Sequence, residues 1–195
     1  MSKFEQITLH ANGLSFSALT AGRGPLVLCL HGFPDCMRSY RHQLPAFAAA
    51  GYRAIAPTMR GYKPSSQPAD GDYHIARMAE DVIGWLDDLG EERVHLVGHD
   101  WGAVVSYVAA ALAPGRLRSL TTIAIPHPGG IARGRAVCHV PRQLGNSWYM
   151  AFFQLRGISD AIVSARGWAF IDKLWRDWSP GWQCPAEEME AVKRG

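Results

Sequence analysis

The sequence predicts an α/β fold, with a mostly parallel sheet flanked by helices, entered through an antiparallel hairpin and left through the start of a helical cap. Three observations carry this expectation. Short continuous apolar runs recur over the first 125 residues, the pattern of strands covered on both faces. A long segment of helical periodicity lies among them, and an Asn-Gly step near the start joins two strand-like stretches.

Ile7 to Leu9 and Leu14 to Leu19 read as a hairpin turned by Asn12-Gly13, because a two-residue turn of this kind needs positive φ at both central positions. The parallel strands follow as Leu26 to Leu30, Ala54 to Ala56, Val94 to Val97 and Leu120 to Ile125. The clearest helix is His74 to Leu89, where Ile75, Met78, Ala79, Val82, Ile83, Leu86 and Leu89 recur at helical spacing and Gly90 supplies the stop. A second helix, after Asp100, is apolar nearly all round and is expected to be buried. Lys63 to Gly71, rich in Pro, Ser and Gly, is a loop expected at the rim of a site. At Pro126-His127-Pro128-Gly129-Gly130 the strand-helix alternation stops. Beyond it come the aromatic segment Trp148 to Gln154 and the amphipathic stripe Trp168, Ile171, Leu174, Trp175 and Trp178. The chain is therefore divided into a core, 1–126, and an incomplete helical cap, 127–195.

With 195 residues, 48% of them hydrophobic, the chain can bury a substantial core. Its formal net charge of +3 comes from scattered residues, with Arg133, Arg135 and Arg142 as the one local cluster, and this argues against a nucleic-acid partner. Residues Met1 to Gln6 show no charged region leading into an apolar stretch, so a cytoplasmic location is expected. The longest apolar stretch, Ala103 to Ala113, falls short of the about 20 residues a membrane span needs, so no membrane partner is expected. Cys29, Cys36, Cys138 and Cys184 have neither CxxC pairing nor metal-ligand spacing; free thiols and no metal are expected.

The chemistry concentrates in Val97-Gly98-His99-Asp100-Trp101-Gly102-Ala103, between an apolar strand and an apolar helix. A nucleophile on such a strand-turn-helix elbow sits in a strained conformation among small residues, and Gly98, Gly102 and Ala103 satisfy that demand. Taken alone, Asp100 reads as a plain helix N-cap. A second motif decides between them: Leu30-His31-Gly32-Phe33-Pro34-Asp35 follows the apolar run Leu26 to Leu30, and Met59-Arg60-Gly61-Tyr62 lies between the two motifs. In these residues the chain resembles the α/β-hydrolase superfamily along essentially its whole length, and within it the epoxide hydrolase branch with its HGFP and GHDWG signatures.

The resemblance implies an Asp100 nucleophile, which suits attack on a saturated carbon and gives an alkyl ester that water must cleave. The helix that follows places Asp100 at the positive end of a dipole, which favours the ionised form. The implied oxyanion hole is the backbone N–H of Phe33 and of Trp101. Tyr149 is implied as the cap tyrosine that hydrogen-bonds the epoxide oxygen, with core packing as its alternative. His31, Pro34, Trp101 and Phe153 are implied substrate contacts, the substrate being a small apolar epoxide or alkyl halide, and no cofactor is implied. Haloalkane dehalogenation ranks second: Trp101 can donate to a departing halide, but Phe33 stands where many dehalogenases have another donor. A non-catalytic, ligand-binding remnant is the third reading. His31 and His99 lie inside their motifs, where structural roles are usual. In this fold the acid and histidine follow the cap; no histidine follows His139, His127 has no orienting acid beside it, and Pro126 occupies the alternative acid position. The expectation is a truncated hydrolase that lacks its carboxy-terminal strands and the base for turnover, with an oligomeric state the sequence leaves open.

Overall fold

Strand order organises the first of two units into which the chain divides, Met1–Ile125 with Arg194–Gly195, and Pro126–Lys193. The structure is a computed structural model describing residues 4–132, 145, 147–155 and 157–194. Six strands run β1-β2-β4-β3-β5-β6 across one sheet. β1 (Glu5–Ala11) and β2 (Leu14–Ala21) pair antiparallel, and β2 pairs antiparallel with β4 (Arg53–Pro57). β3 (Leu26–Leu30), β4, β5 (Val94–His99) and β6 (Leu117–Ile123) are parallel. The hairpin forms where expected because Asn12 and Gly13 both take positive φ, 48° and 75°.

Every residue of β3 is buried, and its side chains alternate between two cores. Leu26, Leu28 and Leu30 pack with Phe16, Trp85, Leu96 and Val105 on one face; Val27 and Cys29 pack with Tyr40, Leu44 and Ala56 on the other. Helices α2 (Ile75–Asp88) and α3 (Trp101–Leu112) contribute to the first core and α1 (Gln43–Ala49) to the second. α2 starts after His74 and ends at Leu89, with Gly90 at φ 67°, as its periodicity predicts.

Two expectations change in this unit. The last strand was expected over Leu120 to Ile125, but β6 begins three residues earlier, after the 3₁₀ turn Pro114–Arg116, and stops at Ile123 because Ala124 takes φ 71°. Among the described residues β6 is an edge strand, half-exposed, with Ile123 47% exposed. α3 is buried along one stripe, Gly102, Ala103, Val105, Ser106 and Ala109; its outer face meets solvent and leaves Leu112 56% exposed. Residues 63–71 are bonded back onto β2: Ser66 N–H donates to Ser15 O at 2.8 Å, and Ser17 N–H donates to Ser65 Oγ at 3.2 Å.

The second unit contains α4 (Pro128–Ala132), α5 (Trp148–Phe152), α6 (Ile158–Trp178) and most of α7 (Ala186–Arg194). α6 is broken at Ala165, Arg166, Gly167 and Trp168, the last three at positive φ. The expected apolar stripe therefore survives only in part: Ile171 and Leu174 are buried, whereas Trp168, in the break, and Trp178, at the helix end, are exposed. Arg133, Arg135, Cys138, His139 and Arg142 lie outside the described residues. Of the described cysteines, Cys29 and Cys36 are buried and Cys184 is partly exposed. Among the described residues, no helix is long and apolar enough to cross a membrane.

Candidate active site

β5 delivers the chain to Asp100 at φ 52°, ψ −119°, and α3 starts at the next residue. A non-glycine residue rarely adopts positive φ, and it persists only where surrounding bonds over-determine it. Here Asp100 N–H donates to Ile123 O at 3.2 Å, and Asp100 C=O accepts from Ala103 N–H at 2.9 Å and Val104 N–H at 3.2 Å. Glycines make room for the turn. A Cβ on Gly98 would collide with Gly102 O and Ser106 Oγ, and one on Gly102 would collide with the Leu30 and His31 carbonyls.

The β3 loop meets the elbow from the other side. Gly32 packs so closely that a Cβ there would strike Asp100 Cβ, and Phe33 N–H donates to Asp100 Oδ1 at 2.9 Å. Oδ1 thus faces a fixed donor, while among the described residues no donor is placed on Oδ2. The Trp101 N–H, first in α3, has no intrahelical acceptor and lies one residue from the carboxylate. The Trp101 side chain is 41% exposed beside the nucleophile position, and Pro34 is buried next to Phe33.

His31 requires a correction. The resemblance implied a substrate contact, but the ring is 0% exposed with both nitrogens engaged: Nε2 accepts from Met59 N–H at 3.1 Å, and Nδ1 lies 2.9 Å from Gly32 O. A backbone N–H can only donate, so the proton belongs on Nδ1, which donates to Gly32 O. Burial pushes the imidazole pKa down to about 4, against the opposing pull of the Gly32 carbonyl and the Asp100 charge. His31 is a neutral strut behind the loop. His99, half-buried at the end of β5, contributes charge near His31 and Asp35.

Three groups here were not assigned roles from the sequence. Burial raises the Asp35 carboxyl above its usual range, opposed by the Ser39 hydroxyl, the Cys36 N–H and the charges of His99 and Arg41. Tyr62 stands edge-on to His31, ring centroids 4.8 Å apart, and burial first, then the charges of Asp100 and Asp35, hold its phenol protonated. Arg60 grips Asp81 of α2 with Nε and Nη2, each at 2.7 Å, and both residues are buried. The signal for this pair was available: Asp81 interrupts the apolar stripe of α2, and a buried carboxylate needs a partner.

Tyr149 and Phe153 lie together in the second unit, with the Tyr149 ring 4.9 Å from Trp178 and 6.0 Å from Phe153. His127 Nδ1 accepts from Gly129 N–H at 3.1 Å, at the start of α4. Among the described residues, no group of three or more His, Cys, Asp or Glu side chains is arranged to hold a metal ion.

A family model for the alpha/beta hydrolase fold matches residues 25–169. The chain belongs to that family. It is 38% identical over 161 residues to epoxide hydrolase 3 of Siraitia grosvenorii, covering 80% of this chain and 50% of that protein. Against epoxide hydrolase A of Mycobacterium tuberculosis it is 40% identical over 159 residues, covering 80% and 49%. Among solved structures, the epoxide hydrolase VrEH1 from Vigna radiata superposes with a TM-score of 0.79 at 28% identity, covering 99% of this chain and 66% of that one. The chain spans about half the length of the curated relatives it matches.

Proposed function

We propose that this chain carries the nucleophilic half of an epoxide hydrolase, with Asp100 as the attacking residue. The observation that carries the reading is a carboxylate held at positive φ on the elbow, with Oδ1 tied to the Phe33 N–H and Oδ2 left without a donor among the described residues. Oδ2 attacks a ring carbon of a small apolar epoxide; the C–O bond breaks, its electron pair goes to the ring oxygen, and the alkoxide takes a proton. Tyr149 is assigned the supply of that proton or of a hydrogen bond to the same oxygen. Trp101, Pro34 and Phe153 form apolar walls for the substrate.

The ester that results is cleaved when water attacks Cγ of Asp100. Negative charge then develops on Oδ1, where the Phe33 and Trp101 N–H groups stabilise it, and the diol leaves. A base that takes the proton from that water is not among the residues assigned here, so the chain itself is read as competent for alkylation. The relatives that are epoxide hydrolases support the substrate class. Neither step uses a metal or an organic cofactor.

The exposed Trp101 indole beside Asp100 favours one competing chemistry, halide displacement. Supplying the folded protein with an aryl epoxide and, separately, an alkyl bromide decides between the two. The epoxide should be opened; release of bromide with the epoxide untouched would transfer the site to dehalogenation, and inertness towards both would overturn the reading.

A further inference from the structure

Residues 58–62, the turn after β4, face two ways at once. Toward the site, Met59 N–H donates to His31 Nε2 and the Tyr62 ring stands against the imidazole. Away from it, Arg60 is clamped: its Nε and Nη2 meet the two carboxylate oxygens of Asp81, its Nη1 donates to Asp72 O at 3.2 Å, and Asp81 Oδ1 accepts as well from Asn12 Nδ2 at 2.8 Å. Arg60 is 4% exposed and Asp81 1%. Four separate segments thus meet at one ion pair: the β1–β2 turn, the β4 turn, the loop before α2, and α2 itself.

Such a pair is a poor source of stability, because desolvating two charges offsets most of their attraction and well-packed apolar side chains often serve as well. What a bidentate guanidinium–carboxylate pair does supply is fixed direction. That direction reaches the elbow through one peptide unit. The bond between Gly32 and Phe33 is planar, so its C=O and N–H point opposite ways. His31 Nδ1–H holds the Gly32 C=O, and the Phe33 N–H is thereby aimed at Asp100 Oδ1.

We propose that Arg60, clamped by an Asp81 that Asn12 also holds, is a positioning residue for the Phe33 N–H donor. It immobilises the turn whose Met59 N–H fixes the tautomer and the orientation of His31, and His31 sets the plane of the peptide that presents the donor. Arg60 touches neither Asp100 nor Phe33; it acts through the backbone of its neighbour. The consequence for the reaction rests on Asp100 being the nucleophile, whereas the consequence for the Phe33 amide does not.

Two variants test it. Arg60→Lys keeps the charge beside Asp81 but loses the second guanidinium edge, and Asn12→Gly keeps the positive-φ turn but removes the third bond to Asp81. Two readouts are needed: hydrogen exchange and chemical shift of the Phe33 amide by NMR, and the saturating rate and half-saturating concentration for alkylation of Asp100 by an aryl epoxide. Arg60→Lys should speed Phe33 amide exchange and lower the saturating rate about tenfold with the half-saturating concentration unchanged, because a carboxylate whose Oδ1 is no longer held presents Oδ2 less well to the ring carbon. Asn12→Gly should move both in the same direction by less, and it keeps the test alive if Arg60→Lys folds poorly. A lowered unfolding midpoint with an unchanged Phe33 amide and an unchanged saturating rate in both variants would reduce the pair to a structural tie and overturn the proposal. If the unsubstituted protein leaves Asp100 unalkylated, the proposed function fails, and the Phe33 amide alone decides the positioning role.

Discussion

Acid should destabilise this protein through one histidine. His31 is buried, neutral and doubly hydrogen-bonded, and its pKa is pushed from 6.5 down to about 4. In the unfolded chain the same group binds a proton as the pH falls through about 6.5, while the folded protein refuses it until about 4. Over that window the unfolded state holds more protons, so stability declines as the pH falls; below it both states are protonated and the decline from this group stops. The shift of about 2.5 units corresponds to at most about 3 kcal/mol, of which about 2 kcal/mol is lost between about pH 7 and about pH 5. Urea unfolding of the unsubstituted protein and of His31→Gln at the two pH values isolates this contribution. Asp35, whose raised carboxyl acts in the opposite sense, is common to both chains and cancels in the comparison. The unsubstituted protein should lose about 2 kcal/mol more than His31→Gln. Equal losses in the two chains would refute the neutral, walled-in His31.

Gly98→Ala should destabilise by about 1–3 kcal/mol, because its Cβ meets Gly102 O and Ser106 Oγ in a fixed turn; thermal melting measures it, and a neutral effect would show that the elbow can relax. Asp100→Gly removes the nucleophile yet should leave the protein as stable or more so, by about 1 kcal/mol, since glycine relieves the positive φ; a clear loss of stability would mean that the bond to Phe33 outweighs the strain. The β6 edge with its exposed Ile123 should drive self-association, and Ile123→Lys should shift size-exclusion profiles toward monomer; identical profiles would clear that edge.

What the sequence made legible follows from how local each signal is. Asn12-Gly13 carries its own turn geometry, and Leu26 to Leu30 reads as a buried strand because all five side chains are apolar; both appear where expected. β6 was misplaced because Leu117, Arg118 and Ser119 carry no apolar run, and the left-handed Ala124 that ends the strand leaves no mark in residue type. The elbow was readable because its glycines are a steric requirement. His31 was legible only in part: its place inside the motif points to a structural role, yet the same His-Gly step also fits a substrate wall, and what separates the two is the Met59 N–H, 28 residues away. Asp81 interrupts the apolar stripe of α2 and so signals a buried partner, but nothing local names Arg60, 21 residues away, as that partner.

The central claim is that the Asp100 carboxylate forms a bond to substrate carbon. Incubation with a reactive aryl epoxide, followed by mass spectrometry of the intact protein and its peptides, tests it most directly. The account predicts one adduct of the mass of the epoxide, on the peptide containing Asp100, and none in Asp100→Asn. An adduct on another residue, or one undiminished in Asp100→Asn, would contradict it.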